Sequence, residues 1–190
     1  MFIVFEGIDR SGKTTQLELT KRYLETCRNC SVVEWSFPNR NSITGQICDR
    51  YLRREIDLDA HTIHLLFSAN RWERQQELSQ LLAEGNVVLC SRYSYSGIAY
   101  SKANGLPYDW LKSIDKGLIE PDLIVYLDID PVIASRRDCY GQERYDKIDF
   151  QNKVRINYLD LFKNDPRVLM LDATQSIDKL QQEIRAKIAC

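Results

Sequence analysis

Residues 7–15 read GIDRSGKTT, and no other stretch of the chain constrains its fold as strongly. The spacing fits G-x-x-x-x-G-K-[ST], directly after an apolar run and directly before a segment with helical spacing. In that setting backbone N–H groups turn towards a phosphate, and the N-terminus of the next helix adds partial positive charge. The sequence therefore predicts a nucleoside triphosphate loop, in which the lysine reaches the β and γ phosphates. The residues of this predicted triphosphate site are Gly7, Arg10, Ser11, Gly12, Lys13, Thr14 and Thr15.

Short apolar runs alternate with longer segments of helical spacing along the rest of the chain. Strands are predicted at 2–7, 32–35, 87–90, 123–129 and 168–171, and helices at 14–27, 43–53, 60–84, 131–138, 148–163 and 176–189. This order predicts an α/β protein with a central five-stranded parallel sheet and helices on both faces, and together with the phosphate loop it indicates the P-loop NTPase fold. We expect a single domain over 1–190, with a short mobile lid in the arginine-rich stretch at about 135–147.

Composition narrows the classes of partner. The chain has 190 residues, 44% of them hydrophobic and 28% charged, with a net charge of −1, which argues against a nucleic-acid or membrane surface.

Six scattered cysteines in a chain long enough to stabilise itself by burial are expected to be reduced. The N-terminus has no secretion signal, so we expect a cytoplasmic protein, with the nucleus as the alternative compartment. Two histidines are too few to complete a structural zinc site with the cysteines.

Two arginines point to a second anion. Arg40 and Arg92 each lie just beyond the C-terminal end of a predicted strand. In an open α/β sheet, ligands bind at that edge. Two guanidinium groups that converge there, opposite a triphosphate loop, suit a phosphate monoester.

The chain resembles the thymidylate kinases over nearly its whole length. The segments FEGIDRSGKTTQ, FPNR, HLLFSANRWE, RYSYSGIAY, PDLIVYLDI and GQERYD match that family in order and spacing, and the resemblance is closest to its eukaryotic and poxviral branch. It implies transfer of the γ-phosphoryl of ATP to dTMP, giving dTDP and ADP, with Mg²⁺ as cofactor. It also implies a homodimer.

The resemblance also implies site roles. Phe67 is expected to stack on thymine and Arg71 to hydrogen-bond the base, while Arg40 and Arg92 hold the monophosphate. Asp9 is expected to face the 3′-hydroxyl and Arg10 the transferring phosphoryl, in the manner of an arginine finger. The implied dTMP-binding residues are Asp9, Phe37, Arg40, Phe67, Arg71, Arg92, Ser96, Gly97, Tyr100 and Tyr145. Arg137 and Ala173 are added on the adenine side, and the catalytic residues are Asp9, Arg10, Lys13 and Arg92.

Ser91 departs from the family pattern. The family usually has Asp-Arg-Tyr where this chain has Ser-Arg-Tyr, and that aspartate helps to hold Mg²⁺ through water. A serine hydroxyl can bind a water but brings no charge. We therefore assign Mg²⁺ to Thr14 directly and to Asp9 and Ser91 through water, with Asp146 as a further acid that could compensate.

Two alternatives stay open at this stage. Another deoxynucleotide or deoxynucleoside kinase, acting on dUMP or thymidine, would differ by small changes in the acceptor pocket, because one methyl group is worth only about 1 kcal/mol. A catalytically weak nucleotide-binding module or switch is the second. The chain has no guanine-reading N-K-x-D string, which argues against a GTP switch.

Overall fold

The computed structural model describes residues 1–137 and 144–189. Its strands are β1 (Phe2–Glu6), β2 (Val32–Ser36), β3 (Val87–Ser91), β4 (Leu123–Asp128) and β5 (Val168–Asp172). Its helices are α1 (Lys13–Cys27), α2 (Ile43–Leu52), α3 (Ala60–Trp72), α4 (Gln75–Ala83), α5 (Ser94–Ala103), α6 (Tyr108–Ile114), α7 (Pro131–Ala134), α8 (Ile148–Phe162) and α9 (Ile177–Ala189). None of the helices in these described ranges is long and apolar enough to cross a membrane.

The five strands form one parallel sheet in the order β2-β3-β1-β4-β5. Strand β1 lies at the centre and is buried along its whole length, whereas the edge strands β2 and β5 are each largely half-buried or exposed. A parallel sheet covered on both faces needs continuous apolar runs, and FIVFE in β1 and VVLC in β3 are such runs. This confirms the predicted α/β fold and all five predicted strands.

Two apolar clusters lie on opposite faces of the sheet. Successive residues of a strand point to opposite faces, and in β1 Ile3 and Phe5 belong to one cluster whereas Phe2 and Val4 belong to the other. The first cluster includes side chains of α1, α8 and α9, and the second includes Leu78 of α4. Because both faces are packed, the C-terminal ends of the strands are left as the edge at which a ligand can bind.

The predicted helix at 60–84 is wrong as a single element, because α3 ends at Trp72 and α4 begins at Gln75. Arg74 lies between the two helices, as the N-cap residue of α4. Its guanidinium lies 3.7 Å from the ring centroid of Trp35 and donates to both carboxylate oxygens of Glu77, at 2.8 and 2.9 Å. Arg74 is thus held by Trp35 of β2 and Glu77 of α4 at a break in an otherwise continuous helical pattern.

The segment predicted as a helix at 131–138 is helical only as α7, which Ala134 ends. Residues 135–137 form a turn, and the predicted end of the helix at 138 lies outside the described residues. Residues 138–143, the centre of the predicted lid, also lie outside them, and the lid's mobility stays a prediction. The sequence reading also missed α5 and α6, which fill the connection between β3 and β4.

Candidate active site

The loop after β1 has the backbone conformation that its glycines predict. Gly7 has φ 146° and Gly12 has φ 99°, both in the region that favours glycine. A Cβ atom on Gly7 would lie 2.6 Å from the hydroxyl of Ser11 and 2.7 Å from the carbonyl oxygen of Leu127. Gly12 is the N-cap of α1 and offers no side-chain cap, so the first N–H groups of that helix are left to an anion.

Lys13 is buried within this loop. Its ammonium donates to the carbonyl oxygens of Gly7 and Ile8, at 3.1 and 2.6 Å, and to the Ser11 hydroxyl at 3.3 Å. Burial, followed by repulsion from the guanidinium of Arg92, lowers the pKa of Lys13 to about 7. An anionic ligand in the loop would favour the charged ammonium and so raise this pKa again.

The loop connects to the adenine side of the predicted site through Arg137. The Arg137 guanidinium donates to the carbonyl oxygen of Arg10 at 2.7 Å and to that of Ala173, beyond β5, at 2.9 Å. Thr14 and Thr15 are exposed in the first turn of α1. The structure therefore brings together all of the residues predicted for the triphosphate site and its adenine side.

A cavity of about 260 Å³ opens at the C-terminal edge of the sheet next to this loop. All ten residues predicted to bind dTMP line it, and so does Ser91. The full lining is Asp9, Ser36, Phe37, Pro38, Arg40, Leu52, Phe67, Arg71, Ser91, Arg92, Tyr93, Ser96, Gly97, Tyr100, Ser101 and Tyr145.

Asp9 connects the phosphate loop to the cavity. One of its carboxylate oxygens forms an ion pair with Arg92, and the other accepts from the Tyr100 hydroxyl at 3.1 Å and from the Gln151 amide at 2.8 Å. Burial alone would raise the pKa of Asp9, but Arg92, Lys13 and these two hydrogen bonds outweigh it and lower the pKa below its usual value. Asp9 is therefore an anion with a fixed orientation at the mouth of the loop.

Arg71 is held inside the cavity wall by a buried carboxylate. Its Nη2 lies 2.6 Å from Asp115 Oδ2, and the two side chains are 3% and 5% exposed. The hydroxyl of Ser68 donates to the other oxygen of Asp115 at 2.6 Å. The Nε of Arg71 is buried and has no hydrogen-bond partner among the described residues. A buried donor without a partner is costly, so this group is suited to a polar atom of a ligand.

Gly97 and Phe67 complete the surroundings of Arg71. A Cβ atom on Gly97 would lie 2.9 Å from Arg71 Nη2, so a glycine at the start of α5 leaves room for the guanidinium. Phe67 is half-buried, one turn before Arg71 on α3. The base-binding pair implied by the family resemblance therefore lies on one wall of the cavity.

Arg40 and Arg92 both line the cavity, as predicted, but each has a carboxylate of its own. Arg92 is paired with Asp9, and Arg40 is paired with Asp49 of α2. Arg40 is the more exposed of the two, with 43% of its side chain accessible against 19% for Arg92. These carboxylates hold the two guanidinium groups in place at the cavity wall.

Tyr145 lies among aromatic rings rather than alone. Its ring stacks on that of Phe150, with centroids 4.9 Å apart and 9° between the planes, and lies 5.5 Å from the Tyr100 ring. Its backbone carbonyl accepts from the Gln151 amide at 2.9 Å. Tyr145 is thus held beside Tyr100 at the cavity wall.

Sequence reasoning missed two residues that orient this site, Asp115 and Gln151. Gln151 is buried and bonds Asp9 twice, through its amide nitrogen at 2.8 Å and through its oxygen, which accepts from the Asp9 backbone N–H at 3.3 Å. Neither residue lies in a motif, and each meets its partner only through the fold. A buried arginine on α3 could have signalled that a carboxylate had to be found for it.

A Mg²⁺ ion is implied by the family. No group of three or more His, Cys, Asp or Glu side chains within the described ranges is arranged to hold a metal. Mg²⁺ in kinase sites, however, is bound largely through substrate phosphates and waters, and in P-loop NTPases a Ser or Thr hydroxyl of the loop is one of its protein ligands. The exposed Thr14 hydroxyl and the cavity-lining Ser91 are oxygen donors of that kind, so the residues present fit the ion.

Comparison with known proteins agrees with this geometry. The thymidylate kinase family model matches residues 5–184. The chain belongs to the thymidylate kinase family. It is 45% identical over 184 residues to a thymidylate kinase of Plasmodium falciparum, covering 96% of this chain and 87% of the relative. It is 34% identical to the human thymidylate kinase over 186 residues, covering 96% and 87% respectively.

The solved structure of the Candida albicans thymidylate kinase has the same fold. It superposes with a TM-score of 0.90 at 35% identity, covering 99% of this chain and 90% of the other. The family resemblance, the P-loop NTPase fold and the enzyme class, a nucleoside monophosphate kinase, are therefore confirmed.

Proposed function

We propose that this chain transfers the γ-phosphoryl of ATP to dTMP, producing dTDP and ADP. The observation that carries the proposal is a cavity lined by all ten residues expected to bind dTMP, which shares Asp9 with the phosphate loop. Membership of the thymidylate kinase family supports the choice of substrate.

On the donor side, the loop amides and Lys13 bind the β and γ phosphates. Arg10 lies within the loop with φ 64°, a left-handed conformation whose carbonyl Arg137 holds at 2.7 Å. The guanidinium of Arg10 neutralises the charge that develops on the transferring phosphoryl, as arginine fingers do. Arg137 and Ala173 border the adenine.

On the acceptor side, Phe67 stacks on thymine and Arg71 donates to it, while Arg40 and Arg92 bind the monophosphate. Phe37, Ser96, Gly97 and Tyr145 shape the rest of the pocket, and Tyr100 crowds the sugar's 2′ position, which favours deoxyribose. Asp9 accepts from the 3′-hydroxyl. The attacking oxygen belongs to a phosphate anion, so positioning and charge stabilisation suffice and no strong general base is required.

Mg²⁺ fits this scheme as the cofactor, with Thr14 as its direct protein ligand and Asp9 and Ser91 binding through water. When bound, the ion would offset the negative charge of the β and γ phosphates. The chain's own contribution is to orient the hydroxyls of Thr14 and Ser91. Because both oxygens of Asp9 already accept hydrogen bonds from Arg92, Tyr100 and Gln151, the protein supplies little free negative charge to the ion.

A homodimer in the cytoplasm is the proposed setting. Leu65 and Trp72 of α3 are 46% and 41% exposed, which supports α3 as the contact surface. Sedimentation equilibrium should give twice the 22.2 kDa chain mass, and Leu65→Glu should shift it towards the monomer. A monomeric mass for the unaltered chain would contradict the dimer. The cytoplasm is a reducing compartment that keeps cysteines as free thiols, and cell fractionation checks this location.

The test of the proposed reaction is a comparison of acceptors in one coupled ADP-release assay. We expect kcat/KM to be highest for dTMP and lower for dUMP, with dGMP, dCMP and thymidine at least about 100-fold lower, because Arg71 and the two phosphate-binding arginines would lose partners. Equal rates with dTMP and without any acceptor would contradict the proposal.

A further inference from the structure

Glu6 is a fully buried carboxylate at the end of β1, immediately before Gly7 of the phosphate loop. One of its oxygens accepts from the backbone N–H groups of Tyr93 and Ser96, at 2.8 and 3.2 Å. The other accepts from the hydroxyls of Ser96 and Tyr158, at 2.5 and 2.9 Å. A buried carboxylate costs several kcal/mol unless it is fully satisfied, and four donors satisfy this one.

These contacts make Glu6 the N-terminal cap of α5. Tyr93 is the N-cap residue of that helix and makes no side-chain cap of its own. The N–H groups that Glu6 accepts from belong to the N-cap and to the third helical residue, which are among the groups left without partners at a helix start. A negative charge at the N-terminus of the helix also interacts favourably with the partial positive charge there. The cap thus comes from another strand rather than from the local sequence.

The capped turn is the one that carries Arg92 and Ser96. Arg92 has φ 66°, a left-handed backbone conformation that a side chain rarely adopts and that its surroundings must stabilise. Its Nη1 donates to Ser96 Oγ at 3.3 Å and to the carbonyl oxygen of Gly7 at 3.2 Å. Both Arg92 and Ser96 line the cavity. The Glu6 carboxylate therefore fixes the turn at the start of α5, next to Arg92, against the strand that leads into the phosphate loop.

We propose that Glu6 is a positioning residue for the acceptor phosphate, holding the turn of Tyr93 to Ser96 so that Arg92 is oriented before substrate arrives. The proposal rests on the proposed function, since it assigns the phosphate at Arg92 to the acceptor. Glu6 acts through Arg92 and Ser96. Its loss should therefore weaken the binding of dTMP and leave the binding of the triphosphate nearly unchanged.

The test compares KM for dTMP with KM for ATP in Glu6→Ala, Glu6→Gln and Tyr158→Phe. Glu6→Ala leaves two buried N–H groups without an acceptor, and we expect KM for dTMP to rise about tenfold or more while KM for ATP changes less than about twofold. Glu6→Gln keeps an oxygen for those N–H groups and should restore KM for dTMP to within about threefold. Tyr158→Phe removes a hydroxyl that donates to the same carboxylate and lies 2.7 Å from Ser96 Oγ, but it keeps both backbone N–H bonds to Glu6, so KM for dTMP should rise by less than about threefold.

A parallel rise of both KM values, an unchanged KM for dTMP in Glu6→Ala, or an equal effect of Tyr158→Phe would overturn the proposal. If Glu6→Ala does not fold, hydrogen exchange on the unaltered protein decides. The amides of Tyr93 and Ser96 should be protected without dTMP and change by less than about threefold when it is added. Protection that arises only with dTMP would mean that the turn is not prearranged. Lack of dTMP phosphorylation by the unaltered protein would instead contradict the proposed function.

Discussion

Removing Asp115 should destabilise the fold far more than removing a typical surface carboxylate. The Asp115→Ala change leaves Arg71 as an unpaired cation with only 3% of its side chain exposed. Breaking a buried pair in this way costs about 3–5 kcal/mol in the free energy of unfolding. For a chain of 190 residues, an unfolding entropy of about 2.1 cal/mol/K per residue gives about 0.4 kcal/mol/K in total. The melting temperature should therefore fall by about 8–12 °C.

Thermal unfolding followed by circular dichroism measures this fall, and titration calorimetry measures dTMP affinity on the same samples. Asp160→Ala is the matched control, because Asp160 is 66% exposed and lies 3.4 Å from Lys102. Its loss should cost less than about 1 kcal/mol. The double variant Arg71→Met with Asp115→Leu replaces the pair by apolar side chains and should regain most of the stability, but not the affinity for dTMP.

A melting temperature of Asp115→Ala within about 2 °C of the unaltered protein, as expected for Asp160→Ala, would contradict a large contribution of the buried ion pair. That result would mean that Arg71 finds water or another partner at no cost. Recovery of dTMP affinity in the apolar double variant would equally contradict the assignment of Arg71 to the base.

Three further predictions concern the phosphate loop and its surroundings. Arg10→Gly should leave triphosphate binding and melting nearly unchanged, since a backbone with φ 64° suits glycine, but should lower kcat at least about 100-fold; near-normal turnover would refute the role of Arg10. Ser91→Asp should lower the Mg²⁺ concentration for half-maximal rate about fivefold, with Ser91→Asn as the neutral control; an unchanged titration would show that another acid already serves. Because the pKa of Lys13 is lowered to about 7, triphosphate binding at about pH 8.5 should take up close to one proton, and Lys13→Met should abolish the uptake. Calorimetry in buffers of different ionisation enthalpy measures it, and zero uptake by the unaltered protein would contradict the lowered pKa.

The central sheet and the phosphate loop could be predicted because their signals are local. Apolar runs such as VVLC and the spacing of Gly7, Gly12 and Lys13 each lie within a few residues. Helix α5 was missed for the opposite reason. Its sequence, SYSGIAYSKA, is rich in serine, glycine and tyrosine, which have low helix propensity. The carboxylate that caps it belongs to Glu6 on β1. No local pattern announces that cap.

Ten of the sixteen cavity-lining residues could be predicted from the family resemblance, but the groups that orient them could not. Asp115 is 44 residues from Arg71, and Gln151 is 142 residues from Asp9. Neither pairing has a spacing to read, because only the fold brings the partners together. The same holds for Arg74, whose contact with the Trp35 ring lies at the break between α3 and α4, where the pattern alone predicts one helix.

Transfer of label from ATP carrying a labelled γ-phosphoryl group tests the account most directly. Incubated with dTMP and Mg²⁺, the protein should place the label in the β position of dTDP, with one ADP formed for each labelled dTDP. Arg92→Ala should lower this transfer by at least about 100-fold while retaining triphosphate binding. ADP release without labelled dTDP, or labelled inorganic phosphate in its place, would contradict the assignment of the cavity to dTMP.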